Sequence, residues 1–392
     1  MKFIVTADIH EGVNFPYKVD IATGISARAL DIHGNFIRAC KYAIEKKTKL
    51  FVIAGDLFER PNVAPIFREL VRRDIIEPLG KAGIKVWIIA GNHDQPRNYE
   101  RSSSIEDFRG YPHVEVFRKP CIRKIGEDYF IILPYLHPEQ IVSWLEEKTG
   151  KEIPREKAYE VAQQTLKNWL ERKAKECEGN KILLGHYYVQ HHKLKLSETS
   201  YSVVLPGEFK LEPYALPKVN LAIFGHIHLH QSLRTSNAEI VYTGSVERID
   251  WGEFSDAKGF LEVDTSGEYK FIELPCREMV KLSIEVKEKE NPTAKILSLL
   301  PDLKEKLLRL EITLPEGKRK LVDEVEIARK LSEAFYYEIR WNETTEEKIG
   351  FAEYTMEPTE LFKSFIELNY AEHEKKNEIL KHGFEILNEV MR

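Results

Sequence analysis

Cysteine is scarce in this chain. Among its 392 residues there are four, Cys40, Cys121, Cys177 and Cys276, and no two of them form a C-x-x-C pair. That spacing argues against a zinc knuckle or a disulfide framework and points to a reducing, cytoplasmic setting. Long hydrophobic runs are also missing, so no stretch is expected to span a bilayer, and the opening residues Met1–Ala7 lack the apolar length of a signal peptide. Nor is there an internal repeat or a low-complexity segment. A global excess of positive charge is absent as well. Residues 1–280 hold 39 basic and 39 acidic side chains, residues 281–341 hold 13 and 12, and residues 342–392 hold 6 and 12. The formal net charge of −5 therefore resides in the tail. A nucleic-acid partner would have to be met by a local basic patch.

What is present suits a soluble globular protein of two or three domains, with 43% apolar and 31% charged residues. Strand and helix patterns alternate from the start. Lys2–Ala7, Leu50–Ala54 and Ile84–Ala90 read as buried strands, and Ala27–Glu45 and Ile66–Lys81 as helices. That order implies an α/β fold with a largely parallel sheet. Further apolar runs at Phe130–Leu133, Ile182–Leu184, Leu221–Phe224, Ile240–Tyr242 and Gly259–Val263 extend it or build a second sheet, with a helix over about 156–176 between them. Two sheets flanked by helices fit residues 1–278. Residues 279–341 read as a small α+β unit: strands Val280–Val286, Leu307–Leu314 and Tyr337–Trp341, with helices Ala294–Leu300 and Leu321–Phe335. Residues 342–392 read as an acidic connector, a strand-like piece Ile349–Thr355, and helices Pro358–Asn369 and Glu372–Met391.

Five short blocks carry the chemistry, each just after an apolar run: Asp8-Ile9-His10, Gly55-Asp56, Gly91-Asn92-His93-Asp94, Gly185-His186 and Gly225-His226-Ile227-His228. In extended backbone residues i and i+2 face one side, which pairs Asp8 with His10 and His226 with His228. Sites in open α/β sheets form beyond the carboxyl ends of strands, where all five blocks lie. Each block alone is commonplace; their order makes a reaction centre for two metal ions. Oxygen and imidazole donors without thiolate favour Mn²⁺, Fe or Zn. Two dications outweigh the charges of Asp8 and Asp56, and the surplus suits a phosphate and acidifies a water held between the ions. His93 is then available to protonate a leaving oxygen or steady the non-bridging ones. The remaining histidines, His33 among them, lack such ligand neighbours and read as surface or core residues, with His191 and His192 alone placed where they could lie near the site.

These blocks resemble the calcineurin-like metallophosphoesterase superfamily, and more narrowly the SbcD-type nuclease subunits of the double-strand-break repair complex. The resemblance rests on A-D-I-H at 7–10, A-G-D-L-F at 54–58, I-A-G-N-H-D at 89–94, L-G-H-Y-Y-V at 184–189 and F-G-H-I-H at 224–228. The segment Tyr242–Glu253, followed by Lys258-Gly259-Phe260, is especially similar to SbcD chains. It implies a sandwich of two mixed β-sheets flanked by helices, with a small capping domain and C-terminal helices. By motif, Asp8, His10 and His228 would hold one metal, Asn92, His186 and His226 the other, and Asp56 would bridge. His93 would be the catalytic histidine. Also implied are two Mn²⁺ per chain (Mg²⁺, Fe or Zn as substitutes), a homodimer associated with the nucleoid, and an SMC-like ABC ATPase of the SbcC kind as partner. The substrate would be DNA, as duplex ends, hairpins or single strands. One position departs: Glu59 stands where some relatives carry a histidine that shapes how DNA is presented, which leaves the exonuclease and endonuclease balance open.

Two surfaces are expected to serve partners. Seven basic residues lie between Arg97 and Lys124 (Arg97, Arg101, Arg109, Arg118, Lys119, Arg123, Lys124), and Lys193 and Lys195 follow His186; these are candidates for DNA phosphates. The last helix carries Leu380, Phe384, Leu387 and Met391 on one stripe and the one before it Leu361, Phe365 and Leu368, a pair of faces suited to docking on the ATPase's coiled coil. The competing readings are a small-molecule phosphodiesterase or phosphatase on the same scaffold, and a non-enzymatic DNA tether. The extra C-terminal units argue against the first, the complete ligand set against the second.

Overall fold

The computed structural model describes residues 1–15, 18–96, 102–195, 209–344, 358–369 and 375–390. Two six-stranded sheets form its larger part. In the first, the strands run in the order Tyr269–Leu274, Lys258–Asp264, Lys2–Thr6, Leu50–Ala54, Lys85–Ile89, Val114–Phe117. Lys2–Thr6 pairs parallel with Leu50–Ala54 and antiparallel with Lys258–Asp264, so the sheet is mixed. The second runs Cys121–Ile125, Asp128–Leu133, Lys181–His186, Leu221–Gly225, Glu239–Tyr242, Gln231–Arg234, parallel inside and antiparallel at both edges.

Strand periodicity explains how the sheets stack. Phe3 and Val5 face one way and Ile4 the other, as alternate side chains must. The inner face meets Phe130, Ile132, Leu184, Ile223 and Val241 of the second sheet in a fully buried core, with Trp87 edge-on to Phe130 at 5.1 Å. The outer faces are covered by helices. Ala27–Glu45 lays Ile32, Phe36 and Ala39 on the first sheet, and Ala158–Lys175 lays Leu166 and Leu170 on the second. The sandwich expected from the sequence is present.

The helical stretch expected over Ile66–Lys81 is found, with a π-turn at Arg72–Ile76. Pro78 has no N–H to give and its ring crowds the carbonyl one turn earlier, so the helix widens just before it. Pairing brought out strands that hydropathy alone did not reveal: Val114–Phe117, Cys121–Ile125, Gln231–Arg234 and Tyr269–Leu274, together with the helix Pro138–Thr149.

Residues 279–344 form a three-stranded, all-parallel sheet in the order Met279–Glu285, Leu307–Pro315, Tyr336–Thr344. Two helices cover it, burying Ile296, Ile327 and Leu331 against Leu310 and Ile312. The second helix is Glu324–Leu331, shorter than the expected 321–335, because Asp323 caps it by accepting from the Glu326 N–H at 2.9 Å. The last strand reaches Thr344, beyond the expected Trp341. This unit rests on the sandwich through Trp251, Leu307 and Phe335. Arg277 ties the seam, bonding Asp31 at 2.7 and 2.9 Å and lying 3.7 Å over the Phe335 ring.

The helices Pro358–Asn369 and Lys376–Val390 pack on each other, with Phe362 edge-on to Phe384 at 5.8 Å. A Cβ on Gly383 would come within 2.1 Å of Phe362, so that contact needs glycine. Leu380, Phe384 and Leu387 are half-buried, while Phe365 is 44% exposed. The side chains of Leu361 and Leu368, and the segment 349–355, lie outside the described residues. Among the described residues no helix is long and apolar enough to cross a membrane.

A candidate metal centre where five strands end

The carboxyl ends of five parallel strands, three from the first sheet and two from the second, open onto one cleft. Lys2–Thr6 delivers Asp8 and His10, Leu50–Ala54 delivers Asp56, and Lys85–Ile89 delivers Asn92 and His93. Lys181–His186 ends on His186, and Leu221–Gly225 leads to His226 and His228. All eight residues singled out in the sequence come together here. Asp8, His10, Asp56, His186 and His228 are buried, and Asn92, His93 and His226 are half-buried.

Close approach is bought with unusual backbone. Asp8, His10, Asp56 and His226 have φ of 52°, 54°, 51° and 92°, a left-handed region that side chains other than glycine avoid. The first two loops are laced together to hold it: Asp8 N–H donates to Gly55 O, Ile9 and His10 N–H to Asp56 O, and Glu11 N–H to Leu57 O. Glycine is required next to them. A Cβ on Gly55 would sit 1.9 Å from His186 Nδ1, and one on Gly91 2.1 Å from Asp56 Oδ1.

The donor atoms face one another. His10 Nε2 lies 3.2 Å from His228 Nε2, and His186 Nε2 lies 3.1 Å from Asp56 Oδ2 and 3.0 Å from Asn92 Oδ1. Asn92 Oδ1 is also 3.1 Å from His226 Nδ1. Three sets have their donor atoms within 4.8 Å of one another: Asp8, His10 and His228; Asp8, Asp56 and His186; and His10, Asp56 and His93. Ligands bound at about 2.1 Å to one cation have such mutual separations. The donor set is oxygen and imidazole only, which fits hard or borderline divalent ions. His93 thus sits as close to the cluster as a ligand does, edge-on to His10 at 4.7 Å.

Charge is tuned by the same contacts. Burial would raise the Asp56 carboxyl, but His186 and His93 hold it well below the ordinary range. His186 is pushed up to about 9 because Asp56 and Asp8 outweigh its burial. Asp94 goes the other way, to about 6, through burial and the nearby charge of Asp56. Its carboxylate still accepts from the Leu57, Phe58 and Gly91 N–H groups and so pins two of the loops together.

A second layer of residues braces the rings of the cluster from behind. His10 Nδ1 meets Glu59 Oε2 at 2.8 Å, and His228 Nδ1 meets Glu253 Oε1 at 2.7 Å. Glu253 is fully buried; burial would raise it, but Lys258 at 2.9 Å and His228 keep it strongly acidic. His186 Nδ1 lies 2.9 Å from the Ala54 carbonyl and His93 Nδ1 2.8 Å from the Glu59 carbonyl. Such partners fix which ring nitrogen points into a metal site. For Glu253 the signal lay in the resemblance around 242–253, which also holds Glu247, paired at 3.0 Å with the buried Arg28; Glu59 stood out only as a departure from the histidine of some relatives. His33, outside the metal-ligand blocks, is a core residue held between Glu11 at 2.7 Å and Asp74 at 3.0 Å.

The basic stretch looks different in three dimensions. Arg109 and Arg118 share Glu106, Arg123 holds Glu115 and Lys124 approaches Glu127, so these four are engaged with acids. Arg97 and Arg101 lie outside the described residues. Lys193 and Lys195 are exposed, and His191 and His192 stack beside them at 4.4 Å.

Comparison with known proteins agrees with this geometry. Residues 1–230 match the model of the calcineurin-like phosphoesterase family. The chain is 30% identical over 303 residues to the DNA double-strand break repair protein Mre11 of Methanocaldococcus jannaschii, covering 74% of this chain and 71% of that one. It is 25% identical over 370 residues to the protein of that name from Archaeoglobus fulgidus, covering 89% and 74%. Among solved structures, a dimetal phosphatase from Danio rerio aligns with 67% of this chain and 91% of its own, at 12% identity and a TM-score of 0.40. With the family model spanning the whole ligand-bearing region and a relative matched over most of both lengths, the chain belongs to the calcineurin-like phosphoesterases and, within them, to the Mre11 family.

Proposed function

We propose that this protein is a DNA nuclease of double-strand break repair, hydrolysing phosphodiesters at a two-metal centre. The observation that carries this reading is the convergence of five strand ends on one buried Asp, Asn and His cluster, in a chain whose relatives are DNA break-repair proteins. Asp8, His10 and His228 would hold one ion, Asn92, His186 and His226 the other, and Asp56 both. Mn²⁺ suits this donor set, with Mg²⁺, Fe or Zn as substitutes. Bound there, two divalent ions would supply an activated water and neutralise the charge that develops on the phosphate.

The protein's own part is orientation. The Nδ1–H of His93 donates to the Glu59 carbonyl at 2.8 Å, which leaves the opposite ring nitrogen to exchange a proton with a leaving oxygen or to steady a non-bridging one. Asp56 accepts from the His93 N–H at 2.8 Å, so the bridging carboxylate and the catalytic ring share one support. Asp8 accepts from the His226 N–H at 2.9 Å and couples the two sheets in the same way. DNA would reach the cleft past Lys193 and Lys195, with Arg97 and Arg101 as further contacts. Leu361, Phe365, Leu380, Phe384 and Leu387 of the terminal helices would dock on an SMC-like ATPase of the SbcC kind, and the working form would be a homodimer.

The test compares Mn²⁺-dependent cleavage of plasmid and hairpin DNA with cleavage of a p-nitrophenyl phosphodiester by the same preparation. Cleavage of DNA with little turnover of the small ester supports the nuclease reading. Rapid turnover of the ester with intact DNA would replace it by a small-molecule phosphodiesterase.

A further inference from the structure

Glu59 presents a puzzle. An acid at the rim of a cleft that receives phosphate should repel its substrate, yet the Glu59 side chain stands 2.8 Å from His10 and is only 18% exposed. Its position is set by the backbone. The Glu59 N–H donates to the Glu11 carbonyl at 3.1 Å, the last rung of the ladder that joins the His10 loop to the Asp56 loop. With its main chain fixed beside that of His10, the carboxylate reaches Nδ1 of the ring and turns Nε2 toward His228 at 3.2 Å and Asp56 at 3.8 Å. His10 itself holds a left-handed φ of 54°, so a bond at its far ring nitrogen also helps keep a strained residue in place.

The structure assigns Glu59 as a positioning residue for His10: its carboxylate accepts a hydrogen bond from Nδ1–H, orients Nε2 and strengthens it as a ligand for the divalent ion shared with Asp8 and His228. This rests on the two-metal reading above. The acid at this position serves the metal side of the cleft, whereas the resemblance to SbcD-type chains set a histidine here on the DNA side. Two functions of Glu59 are separable. Its side chain braces His10, but its carbonyl braces His93 at 2.8 Å, and that carbonyl survives any side-chain replacement. A side-chain variant therefore acts on the His10 ion and spares the anchor of His93. Loss of such a partner commonly weakens metal binding about 10–100-fold.

The experiment is calorimetric titration of the full-length, metal-stripped protein with MnCl₂, comparing wild type, Glu59→Ala and Glu59→Gln, with a thermal melt of each stripped protein. Expected are two ions per chain in the wild type and, in Glu59→Ala, one ion bound about 10–100-fold more weakly while the other is unchanged. Glu59→Gln should fall between, because its amide oxygen still accepts from Nδ1–H without the charge. Melting temperatures of the stripped proteins should agree, which separates positioning from a general loss of structure. Equal affinities in wild type and Glu59→Ala would overturn this inference alone. So would both ions weakening together with a lowered melt in Glu59→Ala and Glu59→Gln alike. A wild-type chain that binds neither ion would overturn the metal-centre reading, and this inference with it.

Discussion

The large sandwich and the three-stranded unit both align parallel strands, yet their strand ends differ completely. In the sandwich five carboxyl ends run into Asp8, Asp56, Asn92, His186 and His226, four of these blocks carry glycines, and Asp8, His10, Asp56 and His226 adopt left-handed backbone. In residues 279–344 the strands end at Glu285, Pro315 and Thr344, and the segment contains no histidine at all. Parallel topology offers a place for a site, but it does not make one. What makes one is a set of donors close enough to the strand ends that the core fixes them, and backbone contorted enough to bring them within ligand distance. Among the described residues at the carboxyl ends of its strands, only Gly317 takes left-handed backbone, and the smaller unit puts its side chains into packing and into the seam around Trp251 and Phe335.

The sharpest way to break this contrast is Asp56→Ala. It removes the carboxylate that faces His186 at 3.1 Å and His10 at 3.8 Å, and would leave two dications to repel across the gap. Metal content near zero and no detectable cleavage are expected, with the fold retained; elemental analysis and circular dichroism check both. Two ions still tightly held would mean that another carboxylate bridges. His93→Ala should lower cleavage by about 10²–10⁴-fold, the usual contribution of a positioned acid or base, while both ions stay bound. Loss of one ion would instead place His93 in the ligand set, as its proximity to His10 and Asp56 allows.

The other side of the comparison is probed at the seam. Phe335→Ala removes a buried ring stacked under Arg277 and should cost about 3 kcal/mol in a denaturant melt, without changing metal content. A fall in metal content would show that the small unit helps shape the cleft. The smallest effect concerns His33. Burial lowers its pKa, but the bonds to Glu11 and Asp74 outweigh that and raise it above the ordinary 6.5. A raised folded-state value means that its contribution is fully present below about 6.5 and fades as pH climbs through that higher value. The stability gap between wild type and His33→Leu should therefore be about 2 kcal/mol at low pH and narrow toward alkaline pH. A gap that widens with pH would reverse the assignment.

The division between what the sequence revealed and what it concealed follows from distance along the chain. Asp8 with His10, and His226 with His228, are local pairs at strand ends, so period and glycine markers expose them. Glu59 meets His10 across 49 residues, and Glu253 meets His228 across 25. Nothing local distinguishes such an acid from one on the surface, and His33 hid its partners for the same reason, 22 and 41 residues away. The core strands were legible because they are continuously apolar. The edge strands Cys121–Ile125 and Gln231–Arg234 were not, since they are mostly half-exposed and only antiparallel pairing defines them. In the basic run before Lys124 the fold sets Glu106 against Arg109 and Arg118, and Glu115 against Arg123, pairings that spacing alone does not reveal.

The contorted backbone at Asp8, His10, Asp56 and His226 has a further consequence for how this protein can change over generations or in a laboratory. Each of the four costs on the order of 1 kcal/mol or more relative to glycine in the same conformation. A screen that rewards heat resistance alone would therefore favour glycine at His226, the one of the four that is only half-buried, and would erode the centre while improving the fold. The cleft is a place where selection for endurance and selection for chemistry pull in opposite directions, so any stabilised version of this chain should be chosen with metal retention scored alongside melting temperature.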